Sequence, residues 1–116
     1  MKLMLAMIRP TKLRPVQEAL RNAGVRKMTV YDVHGFGRQH GQTEMYRGYE
    51  YETHLMRKVA LEIAVNDDFV ERVVDVLETV ARTGPEGSIG DGKVFVLPLE
   101  QCYRIGDNLA GPQAIS

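Results

Sequence analysis

The stretch 59-VALEIAV-65, followed directly by 66-NDDFVERVVDVLETV-80, decides the fold. Every second residue from Val59 to Val65 is a large aliphatic one, which predicts a β-strand with one buried face. From Phe69 to Val80 the apolar residues instead recur every three or four positions, as on one face of a helix. Residues 66–68 lie between the two patterns and are typical N-cap and first-turn residues. The stretch therefore predicts a strand that leads into an amphipathic helix.

The beginning of the chain has the same order of elements. Leu3–Ile8 is a short apolar run that predicts a first strand. Apolar residues follow at helical spacing over 13–23, with Thr11 as the expected cap and Gly24 as the expected stop. Met28–Val33 alternates and predicts a second strand.

Val94–Leu97, after a glycine-rich turn, predicts the last strand and completes the order strand, helix, strand, strand, helix, strand. This order predicts an α+β fold, the ferredoxin-like βαββαβ plait, with one antiparallel sheet and two helices on one face. We expect residues 1–116 to form a single domain. The other face of so apolar a sheet should be covered by another subunit, most simply in a closed cyclic assembly.

The connection between the second and third strands, about residues 36–57, is unusually long for so small a domain. It contains three tyrosines and six charged Glu and Arg residues but almost no aliphatic ones. Such a segment is expected to project into solvent, and loops of this length more often contact a ligand or partner than serve no purpose.

The overall charge is balanced, with 15 Lys and Arg against 15 Asp and Glu, and the hydrophobic share is 44%. This composition argues against a disordered chain and against a protein that coats nucleic acid or anionic membranes. The apolar run 3–8 is too short for a signal peptide, and no stretch predicts insertion into a membrane. A single cysteine, Cys102, excludes an internal disulfide framework and suggests a reducing compartment, so we expect a cytoplasmic protein.

The balanced total hides a basic first half and an acidic second half. Residues 1–35 carry seven basic and two acidic groups, whereas residues 59–82 carry two and six. This pattern is compatible with a local anion site, and also with chance segregation between two helices.

Glycines beside cations indicate where an anion could bind. Residues 87–93 match the start of a phosphate-binding P-loop, GxxxxGK, but Val94 replaces the required Ser or Thr and a strand follows instead of a helix. What remains is a loop whose backbone N–H groups can converge on an anion, with Lys93 adjacent. Arg38 and Arg104 also lie near glycines, so the three cations could surround a polyphosphate.

No residue set predicts catalysis. His34, His40 and His54 lack metal-binding spacing, and no carboxylate pair or nucleophile with a base stands out. Two alternatives nevertheless stay open: a small enzyme that acts on phosphoryl groups, and a module that only assembles with other subunits. ATP turnover would identify the enzyme, whereas the assembly module would bind no nucleotide.

Two long motifs resemble the PII signal-transduction proteins. The stretch 35-GFGRQ-39, followed by 43-TEMYRG-48 and 50-EY-51, resembles the start and the T-loop of that family. Residues 83–84 and 89-IGDGKVFV-96 resemble its second signature. The resemblance extends from Met1 to about residue 105.

The resemblance implies a homotrimer that binds ATP or ADP, with AMP as a further candidate, in clefts between subunits. It implies that 2-oxoglutarate binds as an effector together with Mg²⁺ and ATP, through Gln39 and Lys58, with the Gln39 carbonyl on the metal. It also implies a T-loop at about 36–57, a phosphate-side loop at about 83–93, and a C-terminal segment at 101–116. Tyr51 matches a uridylylated tyrosine. The matching nucleotide positions are Met28, Thr29, Gly35, Phe36, Gly37, Arg38, Glu62, Ala64, Gly90, Asp91, Gly92, Lys93 and Arg104.

The chain departs from the family at two places. Residues 85–88 (PEGS) stand where many relatives have a single residue, which enlarges the phosphate-side loop. Gly106 and Asp107 follow Arg104 and Ile105 where relatives commonly present a second arginine. We expect Asp107 to weaken binding of the most negative nucleotide and to relax the preference among ATP, ADP and AMP, although Lys27 near the adenine position offers partial compensation.

The sequence thus predicts a non-enzymatic regulator that senses adenine nucleotides and 2-oxoglutarate. We expect it to control ammonium transporters or nitrogen-metabolism enzymes through its T-loop. The alternative within the family is a divergent PII-like protein that senses ADP or AMP and bicarbonate and regulates carbon uptake or fixation.

Overall fold

The protein is described by a computed structural model that covers residues 1–36, 44–46, 49–51 and 55–116. Its main sheet has four antiparallel strands in the order β2 (Thr29–Phe36), β5 (Leu55–Val65), β1 (Lys2–Ile8) and β6 (Gly92–Pro98). Two helices, α1 (Leu13–Asn22) and α2 (Val70–Val80), follow β1 and β5. The predicted α+β plait is confirmed.

The core lies between the sheet and the two helices, and alternation in the strands decides which residues enter it. Met4, Ala6 and Ile8 of β1 are buried, as are the alternating residues Val59 to Val65 of β5. The helices add buried residues at helical spacing, and these complete a single cluster: Val16, Leu20, Val73 and Leu77.

Among the residues that the structure describes, none forms a layer over the opposite face of the sheet. Leu5 of β1 is paired with Glu62 on one side and Phe95 on the other, so these three side chains point to this face. Phe95 and Leu97 are 48% and 40% exposed, and Tyr31 of β2 is also exposed. We call this surface the open face.

The ends of the helices correct part of the sequence prediction. Thr11 lies within a 3-10 turn, Pro10–Lys12, and α1 begins without a side-chain cap. Residues 66–68 also make no capping hydrogen bond, because a second 3-10 turn, Asp67–Phe69, precedes α2. The Thr11 cap was therefore predicted wrongly. Asn66 does occupy the N-cap position of the second turn, with Asp67 and Asp68 in its first turn as predicted, although it makes no side-chain capping bond. The predicted stop at Gly24 is correct: its φ is 101°, and Val25 N–H donates to the Leu20 carbonyl at 2.9 Å, as in a Schellman motif.

Strand pairing extends further into the long connection than predicted. β2 continues to Phe36, which is paired with Leu55 at the start of β5, so both predicted strands are longer. Within the connection, β3 (Glu44–Tyr46) and β4 (Tyr49–Tyr51) pair with each other. The ladder continues because backbone pairing does not depend on the apolar alternation from which the strand ends were predicted. A short helix, α3 (Pro112–Ile115), ends the chain.

Candidate functional site

The glycine-rich loop, which we define as residues 83–93, lies against the end of β1. Gly92 pairs with Ile8, and a Cβ atom at Gly92 would lie only 1.8 Å from the Met7 carbonyl oxygen. Its φ of 123° is also one that side chains rarely adopt. The close approach therefore requires glycine at this position. Three other glycines of the loop also have positive φ: Gly84, Gly87 and Gly90.

The carboxylate of Asp91 organises the loop. It accepts hydrogen bonds from the Thr83 backbone N–H at 2.9 Å, the Thr83 hydroxyl at 2.6 Å and the Ser88 N–H at 2.8 Å. The Arg9 Nε donates a fourth, at 3.0 Å. Burial opposes ionisation of Asp91, but these hydrogen bonds outweigh it and hold the pKa of the carboxyl far below its ordinary value. The carboxylate is thus fully engaged within the chain, and the Asp91 backbone N–H also donates to the Ser88 carbonyl at 3.2 Å, so Asp91 shapes the loop from within.

Lys58 of β5 reaches the same loop, since its Nζ donates a hydrogen bond to the Gly90 carbonyl. Partial burial lowers the pKa of Lys58, and the nearby Arg9 charge lowers it further, while Asp91 opposes the shift. Two cations and one carboxylate therefore meet beside glycines with positive φ, and Lys93 lies exposed at the start of β6. Such an arrangement attracts an anion.

A second group of predicted residues lies towards the other end of the sheet. Thr29 is paired with Glu62 across β2 and β5, and the Tyr31 hydroxyl donates to the Glu62 carboxylate. This hydrogen bond raises the pKa of Tyr31. Ala64, two residues after Glu62 in β5, lies on the same face of the sheet as Glu62, whereas Met28 packs against the core.

A cavity of about 320 Å³ lies beside Ala64. Its walls include Lys27, Phe69 and Ile115, so it combines apolar surface with a cation. The C-terminal segment closes one side of this cavity.

Arg104 is held by that same C-terminal segment. Its guanidinium donates to Asp107 at 2.8 Å and to the carbonyl oxygens of Gln113 and Ser116 at 3.1 and 2.7 Å. The hydrogen bond from Arg104 lowers the pKa of Asp107. Ser116 also accepts from Lys27 at 3.4 Å, which ties Arg104 to the end of the sheet that holds the cavity.

The predicted nucleotide residues therefore form two separate groups within one chain. Thr29 and Gly35, at opposite ends of the sheet, are six positions apart along β2, about 20 Å at the rise of a β-strand. The glycine-rich loop and Lys58 lie together at one end, and Ala64 and Arg104 towards the other. Gly37, Arg38 and Gln39 lie outside the described residues, as do the side chains of Phe36 and Tyr51.

Sequence reasoning missed Arg9 and Tyr31. Arg9 directly follows the last residue of β1, where a side chain can reach the loop that precedes the antiparallel neighbour β6. The position of Arg9 at the end of β1 could have indicated this contact, but only if β6 had been known to be the neighbour of β1. Tyr31 had no signal beyond its place in an alternating strand.

Neither a metal centre nor a membrane span is found in the part of the chain that the structure describes. There, no three His, Cys, Asp or Glu side chains come together as metal ligands. No helix among these residues has the length and apolar character needed to cross a bilayer.

Comparison with known proteins places the chain in a family. A sequence model described as "Nitrogen regulatory protein P-II" matches residues 1–108. The chain belongs to the P-II family. Among its relatives, "Nitrogen regulatory protein P-II" of Nostoc punctiforme is 50% identical over 99% of this chain and 100% of its own length.

Relatives from other lineages agree. "Nitrogen regulatory protein GlnK1" of Methanosarcina mazei is 46% identical, covering 99% of this chain and 97% of its own length. "Nitrogen regulatory protein GlnK" of Escherichia coli K12 is 43% identical over 99% of this chain and its own full length. As a P-II protein, the chain is a regulator in nitrogen signal transduction, and P-II proteins act as signalling proteins rather than enzymes.

Proposed function

We propose that this P-II protein is a cytoplasmic homotrimer that binds ATP or ADP between its subunits and responds to 2-oxoglutarate. The signal passes through residues 36–57 to partner proteins such as an ammonium transporter or a nitrogen-metabolism enzyme. The observation that carries the proposal is the cluster at the glycine-rich loop, where Arg9, Lys58 and Lys93 lie beside glycines with positive φ.

The phosphates bind at this cluster. Gly90 and Gly92 have φ of 95° and 123°, backbone conformations that let N–H groups face an anion, while the Asp91 N–H between them donates to the Ser88 carbonyl. Lys93 supplies a cation that makes no hydrogen bond or ion pair within the described residues. Mg²⁺ enters with the phosphates of ATP, with Gln39 as its protein ligand.

The adenine binds towards the other end of the sheet, near Thr29, Glu62 and Ala64. Here an apolar wall and a cavity of about 320 Å³ lie beside backbone that can bond a base edge. Within one chain Glu62 and Lys58 are four positions apart along β5, about 13 Å at the rise of a β-strand, and we infer that one copy presents its adenine side to the phosphate side of the next.

Trimer formation covers the open face. Leu5, Phe95 and Leu97 expose apolar surface there that a small domain rarely leaves in water. A closed ring of three copies removes this surface and creates three equivalent clefts, one per pair of neighbours.

The effector acts at Lys58. Its ammonium group donates a hydrogen bond to the Gly90 carbonyl. A 2-oxoglutarate carboxylate offers a stronger, charged acceptor for the same group. Binding would shift which conformations of residues 36–57 are populated and so which partner is bound. Addition of a uridylyl group at Tyr51 would place an anion on the same segment.

One observation favours the second candidate, a PII-like protein that senses ADP or AMP with bicarbonate and regulates carbon uptake or fixation. Arg104 is paired with Asp107 at 2.8 Å, which reduces its availability to the most negative nucleotide. A weakened preference for ATP would suit a sensor of ADP or AMP.

The test is calorimetric titration of the full chain with ATP, ADP and AMP, each with and without 2-oxoglutarate and bicarbonate, together with light scattering for the mass. A trimer that binds ATP more tightly with 2-oxoglutarate supports the first candidate. A response to bicarbonate with ADP or AMP supports the second. A protein that binds no nucleotide contradicts both.

A further inference from the structure

Arg9 connects the end of β1 to the glycine-rich loop at two points. Its Nε donates to the Asp91 carboxylate at 3.0 Å and its terminal amino group donates to the Ile89 carbonyl at 2.8 Å. The Arg9 and Asp91 side chains are 26% and 18% exposed, so the ion pair is largely shielded from water. One planar guanidinium thus binds a charged and a neutral acceptor of the same loop.

The Asp91 carboxylate transmits this connection to the rest of the loop. It accepts hydrogen bonds from Thr83, where the loop begins, and from Ser88 in its middle. The start, the middle and the end of the loop are therefore bonded to one carboxylate, and Arg9 bonds that carboxylate to the sheet. The four-residue stretch 85–88, which enlarges the loop, begins two residues after the Thr83 anchor and ends at the Ser88 anchor.

The charges around Arg9 argue that this contact does more than stabilise the fold. Lys58 is close enough that the Arg9 charge lowers its pKa, and Lys58 is itself bonded to Gly90 in the same loop. Two repelling cations beside one carboxylate cost stability, which a neutral side chain at position 9 would avoid. An excess of positive charge at a loop with positive-φ glycines is the arrangement an anion site requires.

We propose that Arg9 is a positioning residue for nucleotide phosphates: through Asp91 and Ile89 it holds the glycine-rich loop where Gly90–Lys93 can bind them. Arg9 itself contacts the loop rather than the ligand. The proposal rests on the proposed function for its ligand, but the position of the loop is a property of the chain alone.

Two variants separate positioning from charge. Arg9→Ala removes both hydrogen bonds, whereas Arg9→Lys keeps the charge but cannot bond both acceptors in one plane. We expect both to weaken ATP binding about tenfold in calorimetry, since each loses a charge-assisted contact of the loop. Adenosine, which has no phosphate, should bind within about twofold of its wild-type affinity. Arg14→Ala, an exposed arginine of α1, is the matched control and should leave ATP binding unchanged.

Hydrogen exchange of the ligand-free protein tests the loop independently of any nucleotide. In Arg9→Lys we expect the amides of Thr83 and Ser88 to exchange about tenfold faster, while the core amides of β1 and β5 keep their wild-type rates. If Arg9→Ala does not fold, Arg9→Lys and Asp91→Asn carry both measurements.

Wild-type ATP affinity in Arg9→Lys, or an equal loss of ATP and adenosine, would overturn the positioning role. Unchanged exchange at Thr83 and Ser88 would also overturn it. If the wild-type protein binds no nucleotide but the exchange result holds, the proposed function fails while the role of Arg9 in the loop stands.

Discussion

Two Arg–Asp pairs hold two parts of this protein, and they act differently. In the glycine-rich loop, Arg9 and Asp91 are 82 residues apart in sequence and largely shielded, and Asp91 has three further donors from the loop. In the C-terminal segment, Arg104 and Asp107 are three residues apart, and their side chains are 33% and 49% exposed.

The comparison shows that similar ion pairs have different effects when their burial and their separation in sequence differ. A largely shielded pair between distant segments fixes where a loop lies, because little water competes for its partners. An exposed pair between neighbours adds little to stability, but it occupies a cation that a ligand would otherwise bind. The first pair prepares its part of the proposed site, and the second competes with the ligand.

The largest effect on stability is expected from a glycine-to-alanine substitution in the glycine-rich loop, compared with the same substitution in the C-terminal segment. Gly92→Ala would place a Cβ atom 1.8 Å from the Met7 carbonyl, at a φ of 123°, so β6 must shift away from β1. We expect a loss of about 3 kcal/mol in the free energy of unfolding, measured by urea denaturation. Gly106→Ala in the C-terminal segment, with no atom within 4 Å of its Cβ position, should stay within about 0.5 kcal/mol. Equal losses in the two variants would contradict the close packing of the loop.

Removing each carboxylate charge tests the two pairs directly. In Asp91→Asn the side-chain NH₂ group, itself a donor, must face either Arg9 or the donors of Thr83 and Ser88. One of these donors therefore loses its acceptor, and we expect a loss of about 2 kcal/mol in the free energy of unfolding. Asp107→Asn should leave the urea midpoint unchanged, because its pair is exposed. A larger destabilisation by Asp107→Asn than by Asp91→Asn would reverse the comparison.

At the C-terminal pair, removal of the carboxylate charge should strengthen nucleotide binding. Asp107→Asn releases Arg104 from a carboxylate, so we expect ATP to bind about threefold more tightly, with a smaller gain for AMP. Calorimetry with both nucleotides measures this, and Glu100→Gln, another exposed acid of this part of the chain, is the control. Weaker ATP binding in Asp107→Asn would show that the pair supports the site.

The pH dependence of the loop pair gives the smallest expected effect. The folded pKa of Asp91 lies below the ordinary 3.8, so its ionised form contributes stability above that value and loses it only as pH falls further. The difference in unfolding free energy between the wild type and Asp91→Asn should therefore stay constant from about pH 8 to 5 and shrink below about pH 4. A decline that begins near pH 6 would contradict the lowered pKa.

Much of the fold could be predicted because it depends on periodicity. The alternation from Val59 to Val65 and the helical spacing up to Val80 both appear in the structure as buried faces. The strand ends at Phe36 and Leu55 were less predictable, because backbone pairing continues past the last apolar residue. The helical spacing placed the starts of α1 and α2 to within one residue, but the Thr11 cap was predicted wrongly because Thr11 lies inside a 3-10 turn.

The candidate site was only partly predictable. The glycine pattern pointed to residues 83–93, and the structure shows why Gly92 in particular is required. Sequence spacing could not show that Asp91 is engaged by four donors, or that Lys58 reaches Gly90 across 32 residues. Those contacts depend on which strand ends are neighbours.

The sequence by itself determined the fold class and the family, because both are properties of the order of residues along the chain: apolar period, glycine positions and two long motifs. Only the tertiary structure decided the roles of the charges. Arg9 became the partner of Asp91 because antiparallel pairing brings the end of β1 next to the start of β6. Arg104 turned to Asp107 because the C-terminal segment folds back on itself. Charge interactions depend on distance and burial, and the fold sets both.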